Sequence, residues 1–205
     1  MLGLFVAACA AYVAVVGLLW VFQRNLLYPA TRGRVVIPAD LPGFAETIVA
    51  TPDGERLLAW WKPPASPGRP IVLFLHGNGG SITDRTSRAK ALTADGTGML
   101  LLSYRGYASS TGRPSEEGLH TDALAAFDWI ATAAPGSRVA VYGESLGSGV
   151  AVRLATERPA VGLILDAPYT STVDVAAGIY WFVPVRALMR DHFASITRIG
   201  TLKVP

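Results

Sequence analysis

Ser145 lies between two glycines in the sequence Gly143-Glu144-Ser145-Leu146-Gly147, directly after an apolar and β-branched run. A serine at a tight turn from strand to helix adopts a positive φ that exposes its hydroxyl, and the residues two positions away must be small. The unpaired N–H groups at the start of the following helix favour a developing negative charge. The pattern therefore predicts that Ser145 is a nucleophile, and that the N–H of Leu146 binds the oxyanion that forms on the attacked carbonyl group.

A glycine-rich turn that binds a phosphate would explain the same five residues, because the chain contains 21 glycines. A second turn favours the nucleophile. The residues His76-Gly77-Asn78-Gly79-Gly80 end another apolar run, and acyl-transfer sites of this design take their second oxyanion donor from such a loop. We expect the main-chain N–H of Asn78 to be that donor, with Gly77 and Gly79 as alternatives. His76 is expected to belong to the framework of the loop.

The elements that position these turns follow from the apolar pattern. Almost wholly apolar runs begin the stretches 70–80, 98–107, 138–142 and 161–168, as in strands buried on both faces of a parallel sheet. Helical patterns alternate with them at 82–94, from Ser115 to Pro135, and at 146–157. A hairpin is predicted within 46–64, around Pro52-Asp53-Gly54. The alternation predicts an α/β fold with a mostly parallel sheet, helices on both faces and a site beyond the carboxyl ends of the strands.

Residues 2–22 form an apolar run without a charge or a proline. As a helix this run spans about 32 Å, close to the thickness of the hydrocarbon core of a bilayer. No basic residue precedes it, which argues against a cleaved signal peptide. Arg24, Arg32 and Arg34 follow the run before any acidic residue, so the positive-inside rule predicts a single-pass anchor with the body on the cytoplasmic side.

Two aromatic residues, Trp20 and Tyr28, stand where side chains of this type meet a membrane interface. The net charge is +3, and the three arginines after the apolar run account for it. No basic cluster is interleaved with aromatic residues, which argues against binding to nucleic acid. The single cysteine lies inside the apolar run, and the three histidines are scattered. The sequence therefore implies no disulfide, no metal site and no cofactor.

Four stretches together resemble the membrane-anchored branch of the alpha/beta-hydrolase-domain proteins. They are FQRNLLYPAT after the apolar run, LFLHGNGG, SYRGYASSTGRPSEEGL and VYGESLGSG, and DAPYTS fits the same branch. The resemblance implies an alpha/beta-hydrolase fold with an eight-stranded sheet, and Ser145 as the nucleophile of an esterase-like or lipase-like serine hydrolase of an ester or thioester. Two positions depart from the family pattern, because Ser103 replaces a usual acid and Ala108 a usual glycine.

The sequence divides into a transmembrane anchor (1–23), a linker and leading loop (24–44) and, by the resemblance, a partial hydrolase domain (45–205). In the family the triad follows the order serine, acid, histidine. The acid follows the strand that RIGTLKVP would introduce, and the histidine comes later still. We therefore expect both beyond residue 205, and the fold to be incomplete at its C-terminus.

An alternative within the chain pairs Asp166, which follows the strand after the nucleophile, with His192. His192 lies in the basic segment VRALMRDHFASITRI, which a solvated helix face explains as well. If the protein has lost its base, the alternative is a catalytically inactive pseudohydrolase or a membrane-tethered scaffold. A further alternative is a peptidase or an acyltransferase, which would use Ser145 as the same nucleophile. His120 is predicted to lie on the surface of its helix.

The segment AAGIYWFVPVRALM at 176–189 is densely apolar and aromatic. By the resemblance it forms a cap over the active site, although a helix packed on the sheet explains the composition equally well. As a cap, its residues Tyr180, Trp181 and Phe182 would favour an acyl or lipid-like substrate.

Overall fold

A six-stranded sheet with flanking helices forms the body of the protein, and a long N-terminal helix precedes it in the computed structural model, which describes residues 1–205. The helices are α1 (Leu2–Leu27), α2 (Thr86–Leu92), α3 (Glu116–Ala133), α4 (Leu146–Glu157), α5 (Thr172–Ile179), α6 (Val185–Leu188) and α7 (Ile196–Ile199). The strands are β1 (Ala45–Ala50), β2 (Arg56–Lys62), β3 (Ile71–Leu75), β4 (Gly98–Leu102), β5 (Val139–Glu144) and β6 (Gly162–Asp166).

The strands lie in the order β1-β2-β4-β3-β5-β6. The pairs β3–β4, β3–β5 and β5–β6 are parallel, whereas β1 and β2 form the predicted antiparallel hairpin, with β2 antiparallel to β4. Leu75 at the end of β3 is opposite Leu102 of β4 and Gly143 of β5. The three turns that follow these strands therefore meet at one edge of the sheet, as predicted.

Both faces of the sheet are covered, which explains why the strands are continuously apolar. On one face Ile71, Leu73 and Leu75 join a hydrophobic core with residues of α3 and α4. On the other face Val72 and Phe74 join a second core that includes Ala89 of α2. Alternate residues of one strand thus point into two different cores, so no polar position is left.

The bounds of several helices follow from local signals. α3 begins after Ser115, whose Oγ accepts a hydrogen bond from the N–H of Gly118 at 3.1 Å. This cap and the two glutamates of the first turn satisfy and complement the free N–H groups of the helix. α4 covers residues 146–157, as predicted. The predicted helix over 82–94 begins as a 3₁₀ turn at Ile82–Arg85 and continues as α2.

The sheet has six of the eight strands that the resemblance implies for the complete family fold. Two features differ from the expectations. The basic segment 185–199 is not one helix, because only α6 and α7 are helical within it. α1 continues five residues past the apolar run to Leu27, and Tyr28 is buried in the core next to α3 instead of lying at a membrane interface. Its ring packs with the body because the chain turns at the end of α1 and runs along the loops that follow β3 and β4.

Candidate active site

The turn at Ser145 has the strained geometry that the sequence predicts. Ser145 separates β5 from α4 with φ 47° and ψ −116°. Its N–H donates a hydrogen bond to the carbonyl oxygen of Asp166 at 2.8 Å, which holds the turn against the end of β6. A positive φ at a residue other than glycine costs about 1–3 kcal/mol, so the surrounding contacts must enforce it. The side chain of Ser145 is half-buried and lines a cavity.

The two glycines of the motif are required because the turn is crowded. A Cβ atom at Gly143 would lie 2.5 Å from the carbonyl oxygen of Gly147 and 2.6 Å from the Cα of Ser148. A Cβ atom at Gly147 would overlap the carbonyl oxygen of Leu75, at the end of β3. These contacts are with backbone atoms, which cannot move aside without displacing a strand or the helix.

The loop that follows β3 lies against the serine turn. A Cβ atom at Gly77 would be 3.4 Å from the Cβ of Ser145, and Asn78, Ser145 and Leu146 all line the same cavity. The main-chain N–H of Asn78 has no hydrogen-bond acceptor in the protein. Leu146 is the first residue of α4, where an N–H has no partner within the helix. These two groups are therefore available to an oxygen atom bound beside Ser145.

Asn78 is held from two sides. Its carbonyl oxygen accepts a hydrogen bond from the hydroxyl of Tyr107 at 2.8 Å. Its side-chain amide donates to the carbonyl oxygen of Leu27, the last residue of α1, at 3.0 Å. The position of the loop thus depends on the N-terminal helix as well as on the sheet.

Two arginines that sequence reasoning missed join the loops around the serine. Arg85 forms an ion pair with Glu144 at 2.8 Å and donates to the carbonyl oxygens of Gly79 at 2.9 Å and Ser81 at 3.0 Å. Arg88, one turn later, contacts Glu144 at 3.1 Å and Asp166 at 2.8 Å. The sequence did show two arginines three positions apart, on one side of a predicted helix. This spacing is common on solvent-exposed helices, so it did not indicate which carboxylates the arginines would contact.

The alternative acid and base within the chain are not brought together. The carboxylate of Asp166 accepts a hydrogen bond from the hydroxyl of Tyr142 at 2.9 Å and pairs with Arg88. Burial, together with this hydrogen bond, raises the pKa of Tyr142 to about 12. The Nε2 atom of His192 lies 2.8 Å from the carbonyl oxygen of Met189. Neither Asp166 nor His192 lines the cavity, and neither side chain hydrogen-bonds to Ser145 or to the side chain of the other.

The other two histidines are buried. His76 is fully buried beside Tyr104 and Tyr107, and its Nδ1 atom lies 2.6 Å from the carbonyl oxygen of Gly77. Burial lowers its pKa to about 4, and its Nε2 atom has no partner. His120, predicted on the surface, is also buried, because α3 packs against α4 and places its ring 2.9 Å from Glu157.

Ala108 is one of the two positions that depart from the family pattern. It has φ 46°, a backbone conformation in which glycine is the usual residue.

The cavity above Ser145 is apolar and has a volume of about 390 Å³, within the range of ligand sites in proteins. Its lining contains 16 hydrophobic residues out of 20 and neither a histidine nor a carboxylate. One wall is the segment from Thr172 to Met189, which contains α5 and α6 and covers the serine as a cap would. The opposite wall is α1, from Val16 to Leu27, and nothing in the sequence predicted that contribution.

Comparisons with known proteins agree with this architecture. Residues 66–198 match the family model of serine aminopeptidase, S33. An uncharacterised protein of Mycobacterium tuberculosis is 42% identical over 98% of this chain and 73% of its own length. The lysophosphatidylserine lipase ABHD12 of Xenopus tropicalis is 38% identical over 56% of this chain and 31% of its own length. A crystal structure of an alpha-beta hydrolase from Vibrio vulnificus has a TM-score of 0.70 at 25% identity, over 89% of this chain and 71% of that one.

Proposed function

This chain belongs to the alpha/beta hydrolase family, and from that premise we propose that it is a membrane-anchored serine hydrolase of acyl esters or thioesters. One observation carries the proposal. Ser145 lies at a strained turn on the floor of an apolar cavity, beside the N–H groups of Leu146 and Asn78. This is the arrangement that attack on an acyl carbonyl requires.

In the proposed reaction the Oγ atom of Ser145 attacks the carbonyl carbon of the acyl group, and the hydroxyl proton passes to a histidine. The N–H groups of Leu146 and Asn78 hold the resulting oxyanion. The same proton then moves to the leaving alcohol or thiol, and the acyl-serine ester remains. Water hydrolyses this ester and releases the acid. By the family resemblance the histidine and its acid come later in the chain than the residues around Ser145.

The chemistry of the lining supports an acyl lipid over a peptide. An aminopeptidase must bind the ammonium group of an N-terminus, and no carboxylate lines the cavity. The polar lining residues that are not aromatic are Gln23, Asn78, Ser145 and Thr172. A single acyl chain fits such a wall, and the lipase among the relatives acts on a lysophospholipid, as its name states.

The anchor is part of the proposal. α1 has 26 residues and none of them is buried, and it is long and apolar enough to cross a membrane. We place the body on the cytoplasmic side, because Arg24, Arg32 and Arg34 follow the apolar run before any acidic residue. Protease accessibility in sealed membrane vesicles of known orientation tests this side, and cleavage from the opposite side only would contradict it.

The nucleophile is tested on the complete gene product in detergent, with a fluorophosphonate probe and p-nitrophenyl esters. We expect the wild type to react, and Ser145→Ala to lose labelling and to lower ester hydrolysis by about a thousandfold or more. Ser109→Ala, at an exposed serine away from the cavity, is the matched control and should behave as the wild type. Equal labelling of the wild type and Ser145→Ala would refute the nucleophile. No labelling of either would favour a tethered scaffold.

A further inference from the structure

We propose that the anchor helix α1 is itself one wall of the acyl-binding site, and that the acyl chain enters from the bilayer between α1 and α5. In this arrangement Val16 and Leu19 limit the length of chain that the site accepts. The inference rests on the proposed function and specifies the source of its substrate. A tether that only holds an enzyme near a membrane would not need to contribute to the active site.

One face of α1 belongs to the cavity. The residues that line it recur at spacings of three and four, as on one face of a helix, and are Val16, Leu19, Trp20, Gln23, Leu26 and Leu27. Val16 and Leu19 are half-buried, whereas their neighbours Val15 and Leu18 are 46% and 59% exposed and do not line the cavity. The helix α1 therefore has apolar side chains on two sides: one side lines the cavity, and the other faces away from the body.

The cavity extends along α1 from the serine towards the N-terminus. At its inner end the carbonyl oxygen of Leu27 accepts the hydrogen bond from Asn78. Val16 lies 11 residues earlier, which corresponds to about 16 Å along the helix axis. The opposite wall over this distance is apolar and comes from α5 and the residues after it, including Val175, Ile179 and Val183. An extended acyl chain fits between the two walls with its carbonyl end at Ser145.

Polar contacts fix α1 to the cap near the C-terminal end of the helix. Arg24 forms an ion pair at 2.8 Å with Asp191, whose side chain is almost fully buried. The side chain of Gln23 accepts a hydrogen bond from the N–H of Arg190 at 2.8 Å. The guanidinium group of Arg190 lies over the ring of Trp20, 4.2 Å from its centroid. These contacts dock this end of the helix on the body. Removal of Arg24 would leave the buried carboxylate of Asp191 without its charged partner.

Nearer the N-terminus of α1, the contact between this helix and the segment after α5 is bordered by exposed apolar side chains. The hydroxyl of Tyr12 donates to the carbonyl oxygen of Phe182 at 2.9 Å, about 16 Å along the axis from the polar contacts at Gln23. Beside it Ile179, Trp181 and Phe182 are 62%, 83% and 43% exposed. Because α1 is long and apolar enough to span a bilayer, a docked α1 carries this apolar tip into the same hydrocarbon layer. Lipid chains are therefore the occupant that covers the tip and reaches the cavity.

Chain-length selectivity tests the wall. We compare Val16→Trp and Leu19→Trp with the matched outward-facing variants Val15→Trp and Leu18→Trp, using the complete gene product in phospholipid vesicles. We expect the inward variants to lower kcat/KM for p-nitrophenyl palmitate by about tenfold or more while hydrolysis of the acetate stays within about twofold. The outward variants should keep both rates. Equal loss of both substrates, or equal effects of the two pairs, would overturn the proposal.

A binding measurement separates this inference from the proposed function. Native mass spectrometry of Ser145→Ala, incubated with palmitoyl lysophosphatidylserine in detergent, should show one bound lipid that Val16→Trp loses and Val15→Trp keeps. This result without ester hydrolysis by any variant would support the wall and refute the function. Unchanged lipid binding and palmitate hydrolysis in Val16→Trp would refute the wall and leave the function intact.

The route of the substrate has its own test. Trp181→Ser should slow hydrolysis of the palmitate ester presented in vesicles but not of the soluble acetate ester, because the polar side chain weakens burial of the cap tip in the bilayer. If instead the wild type is a dimer that Trp181→Ser dissociates, with hydrolysis in vesicles unchanged, a second copy of the chain covers the tip and the proposed route is wrong.

Discussion

The side-chain amide of Asn78 donates a hydrogen bond to the carbonyl oxygen of Leu27 at 3.0 Å. This contact joins the loop that follows β3 to the last residue of α1, 51 positions earlier in the chain. The residue that we expect to bind the oxyanion is thereby positioned by the helix that we expect to anchor the protein.

Replacement of Asn78 by alanine should lower kcat for short esters by about tenfold and change KM little. The substitution keeps the main-chain N–H but frees the loop from α1, and the oxyanion donor must be well positioned to act. Steady-state kinetics of the complete gene product measure this effect. Asn25→Ala, at an exposed position of α1, is the control and should be silent. Equal rates in the two variants would show that the contact does not position the donor.

Arg85→Ala should lower kcat about tenfold to a hundredfold, with a smaller change in KM. The substitution removes the ion pair with Glu144 and the hydrogen bonds to Gly79 and Ser81, so the serine turn and the facing loop lose their link. Arg85→Lys keeps the charge but not the planar set of donors, and should restore part of kcat.

Arg69→Ala, which breaks an exposed pair with Asp95, is the control for Arg85→Ala. If Arg85→Ala and Arg69→Ala have the same kcat, Arg85 has no positioning role. A fall in thermal stability with unchanged kcat would show that its role is structural only.

Gly147→Ala should destabilise the fold by about 3 kcal/mol or more, because its Cβ would overlap the carbonyl oxygen of Leu75. Thermal unfolding in detergent measures the loss. Gly178→Ala, in α5 with no atom within 4 Å of the new Cβ, should instead be neutral or stabilise by up to about 1 kcal/mol. A Gly147→Ala protein as stable as the wild type would contradict the tight packing of the turn.

Asp166→Asn and His192→Ala should each leave ester hydrolysis within about threefold of the wild type, because neither side chain lines the cavity. Both variants are compared with Ser145→Ala in the same assay. A loss as large as that of Ser145→Ala in both variants would establish the alternative acid and base within these residues.

The contribution of His76 to the stability of the fold should fall as the pH falls from 7 to 5. Burial lowers the pKa of His76 to about 4 in the folded protein, against an ordinary value of 6.5. The unfolded chain therefore takes up a proton below pH 6.5 that the folded protein does not, which removes about 2 kcal/mol of stability between pH 7 and 5. Urea unfolding at several pH values measures the slope, and His76→Gln should flatten it. Identical slopes in both proteins would contradict the shift.

Much of the fold could be predicted because its signals are local. The runs that became β3, β4 and β5 are apolar on both faces, Ser115 caps the predicted start of α3, and α4 has the predicted bounds. The predictions failed for Tyr28, His120 and the helix over 185–199. In each case contact with a distant element decided the outcome, since α3 packs on α4 and the segment after α5 follows α1.

The sequence by itself determined the serine turn, because the glycines, the strand and the helix that shape it lie within a few residues of Ser145. Only the tertiary structure decided what surrounds that turn. The ion pair between Arg85 and Glu144, the contact between Asn78 and Leu27 and the contacts of α1 with the segment after α5 join residues 51 to 170 positions apart. No local pattern encodes such pairs, because they form only when the whole chain has packed and each element has buried its apolar face.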